Sequence, residues 1–188
     1  MSSSFHLLSE LSAVEAAKRL LGCELIRTID DKIIRVKIVE TEAYDQSDAA
    51  SHSYKGKTPR TDIMFGAAGH LYVYFTYGMH YCCNVVIGEE GYGAAVLIRA
   101  VEPLEGIETM QKLRSTSGVN VSNGPAKLCQ ALSINMTMNG HNLKHSPLQL
   151  ILKPQLHEES IASSPRIGIS KAKDTMWRFY IHSNVYVK

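Results

Sequence analysis

Two glutamates and a tyrosine stand at alternate positions in one run: Glu40, Glu42 and Tyr44 in I-R-V-K-I-V-E-T-E-A-Y, from Ile34 to Tyr44. Carboxylates aimed into an enclosed space can activate water or deliver a proton, the chemistry of hydrolysis at a glycosidic carbon. Read as a strand, Ile34, Val36 and Ile38 form the buried face, and Arg35 and Lys37 face solvent. The buried face continues, without a change of phase, into Glu40, Glu42 and Tyr44. A buried carboxylate is costly unless something pairs with it or uses it. The competing reading is a bulge that shifts the phase and turns both glutamates to water.

Two further stretches carry chemistry. The run H-L-Y-V-Y-F-T-Y-G-M-H-Y-C-C-N-V-V-I from His70 to Ile87 holds four of the nine tyrosines between 72 and 81. Two β-rich segments flank Tyr77-Gly78-Met79-His80, which reads as a hairpin tip. Leu71, Val73 and Phe75 take one face, Tyr72 and Tyr74 the other. Such tyrosines serve as sheet packing or as stacking platforms for a flat ligand. Tyr77 and Met79 at an exposed tip suit a wedge between base pairs. In A-A-V-L-I-R-A-V, from Ala94 to Val101, a lone Arg99 needs a buried anion or a route to solvent, and Glu40 or Glu42 would supply the anion.

The elements that must position these groups follow from the pattern around them. A capping box at Ser12 and Glu15, an alanine-leucine stripe and Gly22 as the stop predict a helix from Ser12 to Leu21. Cys23 to Thr28 and Lys32 to Tyr44 predict an antiparallel hairpin turning at Asp30-Asp31. The long polar connection from Asp45 to Gly69 reads as functional, pinned down by Met64-Phe65. Leu104 to Arg114 predicts an amphipathic helix, and Asn123-Gly124-Pro125 opens another. Leu148 to Leu152 and Trp177 to His182 read as closing strands. Between them, Ser163 to Lys173 is a basic loop.

The 188 residues, 45% hydrophobic and 20% charged, describe one ordinary globule. With no repeat or domain boundary, 1–188 reads as a single domain. Its expected class is α+β, a curved antiparallel β-sheet edged by short helices with a protruding β-hairpin. No apolar run is long enough to span a bilayer and no signal-peptide pattern opens the chain, which predicts an intracellular protein. The four cysteines form neither a disulfide framework nor a zinc spacing. Eight histidines fall in no ligand pattern, so neither metal nor cofactor is expected. Residues 1–108 carry ten Lys/Arg against fifteen Asp/Glu, and residues 109–188 carry ten against three. A basic C-terminal part suits a polyanion such as nucleic acid, unless folding intermixes the two halves.

Taken together, V-E-T-E-A-Y (39–44), A-S-H-S (50–53), K-T-P-R (57–60), M-F (64–65) and L-Y-V-Y-F-T-Y-G-M-H (71–80) resemble the alkyladenine (3-methyladenine, or methylpurine) DNA glycosylase family. C-x-N (82–84), V-L-I-R-A-V-E-P-L-E-G (96–106) and G-P-A-K-L-C-Q-A-L (124–132) extend the resemblance over nearly the whole chain. It implies that Glu42 is the general base activating water and that Arg99 helps hold that water and carboxylate. By the same resemblance Tyr44, His52 and Tyr74 wall the flipped base. Asn84 screens bases carrying a 2-amino group, and Tyr77 fills the gap left in the duplex. The implied substrate is damaged double-stranded DNA, met by a monomer without cofactor, and the implied place is intracellular and DNA-associated. No lysine stands in these motifs where it would act as a Schiff-base nucleophile, which implies hydrolysis without strand cleavage. Thr61 stands where many relatives carry asparagine after T-P-R. The rival readings are a lesion-binding protein of the same fold that does no hydrolysis, and an RNA-directed protein.

Overall fold

The computed structural model describes residues 3–188, so Met1 and Ser2 of the expected 1–188 span lie outside the described residues. Helix α1 (Ser3–Glu10), which no sequence pattern predicted, precedes α2 (Ala13–Leu20). The capping box of α2 forms as expected: Glu15 N–H donates to Ser12 Oγ, and Ser12 N–H donates to the Glu15 carboxylate at 3.0 Å. Ala13, Ala16, Ala17 and Leu20 then face inward.

The long strand β2 (Lys32–Tyr44) is the axis of one curved antiparallel sheet. Strand β1 (Glu24–Ile29) pairs along its first half through the two-residue turn Asp30-Asp31, and Asp30 takes the positive φ that such a turn needs. On the other edge lies β5 (Ala95–Glu105), which pairs outward with β4 (His80–Val86), itself paired with β3 (Leu71–Thr76). Strand β6 (Leu148–Ile151) continues beyond β1. Past Ile38 the edge of β2 that β1 leaves is taken over by β8 (Arg178–Ile181), paired in turn with β7 (Ile161–Ser164). The sheet therefore forks, and at Glu40–Glu42 strand β2 is paired on both sides. Helices α3 (Ile107–Arg114) and α4 (Pro125–Ala131) edge the sheet.

The main core lies between the sheet and α2 and α4, built from Leu20, Ile34, Val36, Ile38, Val96, Ile98, Val101 and Leu128 among others. Each such fully buried aliphatic contributes about 1.5–3 kcal/mol before entropy is charged against it. A smaller cluster of Met64, Phe65, Tyr72, Val86 and Ala95 sits on the opposite side and fastens the 45–69 connection.

The phase of β2 differs from the expectation. Ile38 pairs with Val101, Glu40 with Ala100 and Thr41 with Ile98, so Val39 and then Arg99 have no partner in the register. Each strand thus carries one extra residue, and the core-facing set changes from Ile34, Val36 and Ile38 to Thr41 and Ala43. Glu40, Glu42 and Tyr44 consequently point away from the main core. The two glutamates nevertheless stay buried, with β8 and the segment before it on that side, while Tyr44 is partly exposed. A second difference concerns α3, which begins at Ile107 rather than Leu104. Residues 104–105 still belong to strand β5, and Gly106 makes the corner at φ +77°, where an added Cβ would meet the Ile33 carbonyl at 2.6 Å.

Candidate active site

The bulge sets the site. With Thr41 Oγ1 donating to the Ala17 carbonyl at 2.9 Å, the alternate residue Glu42 is driven to the far face with its side chain 0% exposed. Arg99, the extra residue of β5, reaches back across the strand boundary. Its Nε donates to Glu40 Oε1 at 2.9 Å, and its Nη1 lies 3.2 Å from Glu42 Oε1. The sequence left open which glutamate answers Arg99; both do. Burial works against the Arg99 charge, but Glu42 and Glu40 outweigh it and hold the guanidinium above its usual range.

Glu42 has two further donors. Tyr44 Oη–H donates to Oε2 at 2.8 Å, and the backbone N–H of Ile167 donates to Oε1 at 2.8 Å. Burial first, then the neighbouring Glu42 charge, push the Tyr44 hydroxyl above the ordinary phenol range, so it remains a donor. Glu40 is neutralised twice, by Arg99 and by Arg178 Nε at 2.6 Å.

In front of this network opens a pocket of about 500 Å³, lined by Tyr44, His52, Tyr72, Tyr74, Asn84 and Arg99 among others. The hairpin β3–β4 supplies Tyr72, Tyr74 and Asn84 from the face opposite the main core, as the alternation in the sequence required. The Asn84 amide donates to the Tyr72 carbonyl at 3.1 Å, which orients it. His52 comes from the 45–69 connection, which is held closely. Ser53 Oγ donates to the Gly93 carbonyl at 2.6 Å, and a Cβ on Gly93 would overlap Ser53 and Phe65. The His52 ring packs edge-on to Tyr74 with centroids 4.6 Å apart, and its Nδ1 lies 3.0 Å from the Tyr72 hydroxyl. Desolvation of that inward side and the Arg60 charge lower the His52 pKa to about 4, leaving a neutral ring at neutral pH.

Tyr77 and Met79 stand at the tip joining β3 to β4, 82% and 70% exposed, and Tyr77 also borders the pocket mouth. The turn is three residues long, one shorter than expected, since His80 already pairs with Thr76. Thr61 accepts from the Thr58 N–H at 2.9 Å and stabilises the turn that carries Arg60.

Several participants escaped the sequence reading. Cys82 shares the strand face of Asn84, and Leu97 that of Glu42, so parity alone held a signal for them. Burial pushes the Cys82 thiol up to about 11. The strap from Ile167 to Lys171, inside the region read only as a basic loop, forms one wall, and Lys171 lies exposed at the mouth. No local pattern marked it. Arg166 and Arg178, from the basic part of the chain, neutralise Asp48 and Glu40 of the acidic part. Folding therefore intermixes the two halves and uses part of the C-terminal charge internally. Among the described residues no three His, Cys, Asp or Glu side chains gather as a metal site, and no helix is long and apolar enough to cross a membrane.

Comparison with known proteins matches residues 7–185 to the family described as methylpurine-DNA glycosylase (MPG). A Francisella tularensis protein named "Putative 3-methyladenine DNA glycosylase" is 50% identical over 181 residues, covering 94% of each chain. Proteins of the same name from Carboxydothermus hydrogenoformans (50% identical, 91% of each chain) and Methanoculleus marisnigri (47% identical, 95% of this chain and 94% of its own) agree with it. A bulged strand that hides a carboxylate behind an aromatic pocket, and a match running from residue 7 to residue 185, lead to one conclusion: the chain belongs to the methylpurine-DNA glycosylase family.

Proposed function

We propose that the protein is a monofunctional DNA glycosylase that removes alkylated, deaminated and etheno-modified purines from duplex DNA, with Glu42 activating the attacking water. The observation that carries this reading is the Glu42 carboxylate, wholly buried yet directly behind a pocket walled by Tyr44, His52 and Tyr74. A flipped purine stacks on these rings, each contact worth about 1–3 kcal/mol and tolerant of base identity. Extrusion costs a few kcal/mol, least for a damaged base, and Tyr77 with Met79 at the hairpin tip offsets part of it by filling the vacated stack.

Two hydrogen bonds, from Tyr44 to Oε2 and from the Ile167 N–H to Oε1, together with the Arg99 ion pair on Oε1, leave one lone-pair site of the Glu42 carboxylate open on Oε2. That site takes a proton from water as the water oxygen bonds to C1′. The C1′–N bond breaks, and its electron pair leaves with the base. Arg99 and the Ile167 N–H hold the carboxylate in place through Oε1, and the Arg99 charge also offsets its burial. Asn84, fixed by its bond to the Tyr72 carbonyl, blocks the space beside a purine 2-position and disfavours guanine. Lys171 sits at the mouth, away from the buried network, so water rather than an amine is the nucleophile.

The test is base release from a duplex holding one hypoxanthine or ethenoadenine, with chelator present, for wild type beside Glu42→Gln. Wild type should release the base and leave the strand intact until alkali is added. Glu42→Gln should lose about 10²–10⁴-fold in rate while still binding the lesion. Tight binding by both proteins with release by neither would replace this reading with that of a lesion-binding protein.

A further inference from the structure

Beside the site lies a buried cation that the reaction described above does not use. The Arg166 side chain is 0% exposed and grips Asp48 with both arms, Nη1 on Oδ2 and Nη2 on Oδ1 at 3.1 Å. Nη1 also donates to the Ala43 carbonyl at 2.9 Å. The guanidinium lies 4.7 Å from the centre of the Tyr44 ring and 5.3 Å from that of Trp177. Its Nε is buried with no hydrogen-bond partner among the described residues.

As a stabilising device this arrangement is poor. A buried ion pair is often no more stable than apolar residues of the same volume, and an orphaned N–H makes the balance worse. What the arrangement does provide is geometry. Asp48 belongs to the connection that carries His52 into the pocket lining, and Arg166 immediately precedes the strap that lines it from Ile167 to Lys171. The next backbone N–H after Arg166, that of Ile167, is the one that donates to Glu42 Oε1. The Tyr44 ring beneath the guanidinium carries the hydroxyl that donates to Oε2. Both hydrogen bonds to Glu42 thus depend on where Arg166 sits.

We propose that Arg166 is a positioning residue for Glu42: its fork on Asp48 draws the 166–171 strap against the 45–52 connection and so aims the Ile167 N–H and the Tyr44 hydroxyl at the carboxylate. The inference rests on Glu42 being the base. Lysine in place of Arg166 would keep the charge but not the planar fork, so the strap would lose its register.

The test is single-turnover base release from a hypoxanthine duplex at 25 °C, with the dissociation constant of the same duplex measured in parallel. Arg166→Lys should slow release by about 10- to 100-fold, and Asp48→Asn, which keeps one acceptor, by about 10-fold, both with lesion affinity held within about threefold. Leu150→Ala, a core change on the β6 side of the sheet, should release at close to the wild-type rate despite a lower Tm. Release by both site variants within threefold of wild type overturns the proposal. A loss of rate matched by an equal loss of affinity overturns it too, since that is the behaviour of a pocket wall. Where Arg166→Lys does not fold, Asp48→Asn decides on the same criteria. Absence of release from wild type overturns the glycosylase reading itself, and the positioning role falls with it.

Discussion

Arg99 Nη1 lies 3.2 Å from Glu42 Oε1 because Arg99 is the residue of β5 left over where its register with β2 slips. In an unbroken ladder continued from the Ile38–Val101 pair, Arg99 would stand opposite Glu40, and both would share the core face of Ile38. The paired bulges instead turn the arginine and both glutamates to the face away from the main core. The site is thus an electrostatic consequence of strand irregularity, with Glu40 serving as the second anion that keeps Arg99 in place.

From that relationship, removing the cation should unbalance two buried carboxylates at once. Arg99→Leu is expected to cost about 3–5 kcal/mol, read as a fall of roughly 10 °C in Tm by calorimetry. Base release should also drop at temperatures where the variant remains folded. A Tm within 2–3 °C of wild type, about 1 kcal/mol or less, would mean that Glu40 and Glu42 find compensation elsewhere.

At the hairpin tip the side chains touch little, so Tyr77→Ala should leave stability within about 0.5 kcal/mol of wild type. Binding and excision on duplex DNA should weaken markedly, with a smaller effect on the same lesion in a single strand. Equal losses on both substrates, in paired kinetic assays, would count against a wedge.

His52 supplies a pH signature. Its pKa is about 4 in the folded protein against 6.5 for the free side chain, so between these values the unfolded chain binds the extra proton. Stability should therefore fall as pH drops from about 6.5 towards about 4, and His52 should make no pH-dependent contribution above that window. The ring resonances should titrate near pH 4 by NMR, and His52→Gln should flatten this part of the Tm profile. A midpoint near 6.5 would show that the ring is not desolvated.

Asn84 bears on substrate range. Asn84→Ser should make room beside the purine 2-position and raise release of guanine-type bases relative to hypoxanthine, measured as a ratio of single-turnover rates. An unchanged ratio would place the discrimination in another part of the pocket.

Much of this was present in the chain as written. Ser12 and Glu15 close their capping box locally, Asp30-Asp31 turns its hairpin locally, and strand alternation alone put Tyr72 and Tyr74 on one face and Cys82 and Cys83 on opposite ones. The residue types at 42, 44, 52, 74, 84 and 99 sufficed to raise glycosidic chemistry and a family. Only the tertiary structure decided the phase of β2, since a bulge depends on the register of a partner strand more than fifty residues away and leaves no periodic trace. Nor did any spacing announce that the Ile167 N–H would meet Glu42, or that Arg166 would meet Asp48. Those contacts join segments more than a hundred residues apart through one or two hydrogen bonds, and a one-dimensional pattern carries no such distances.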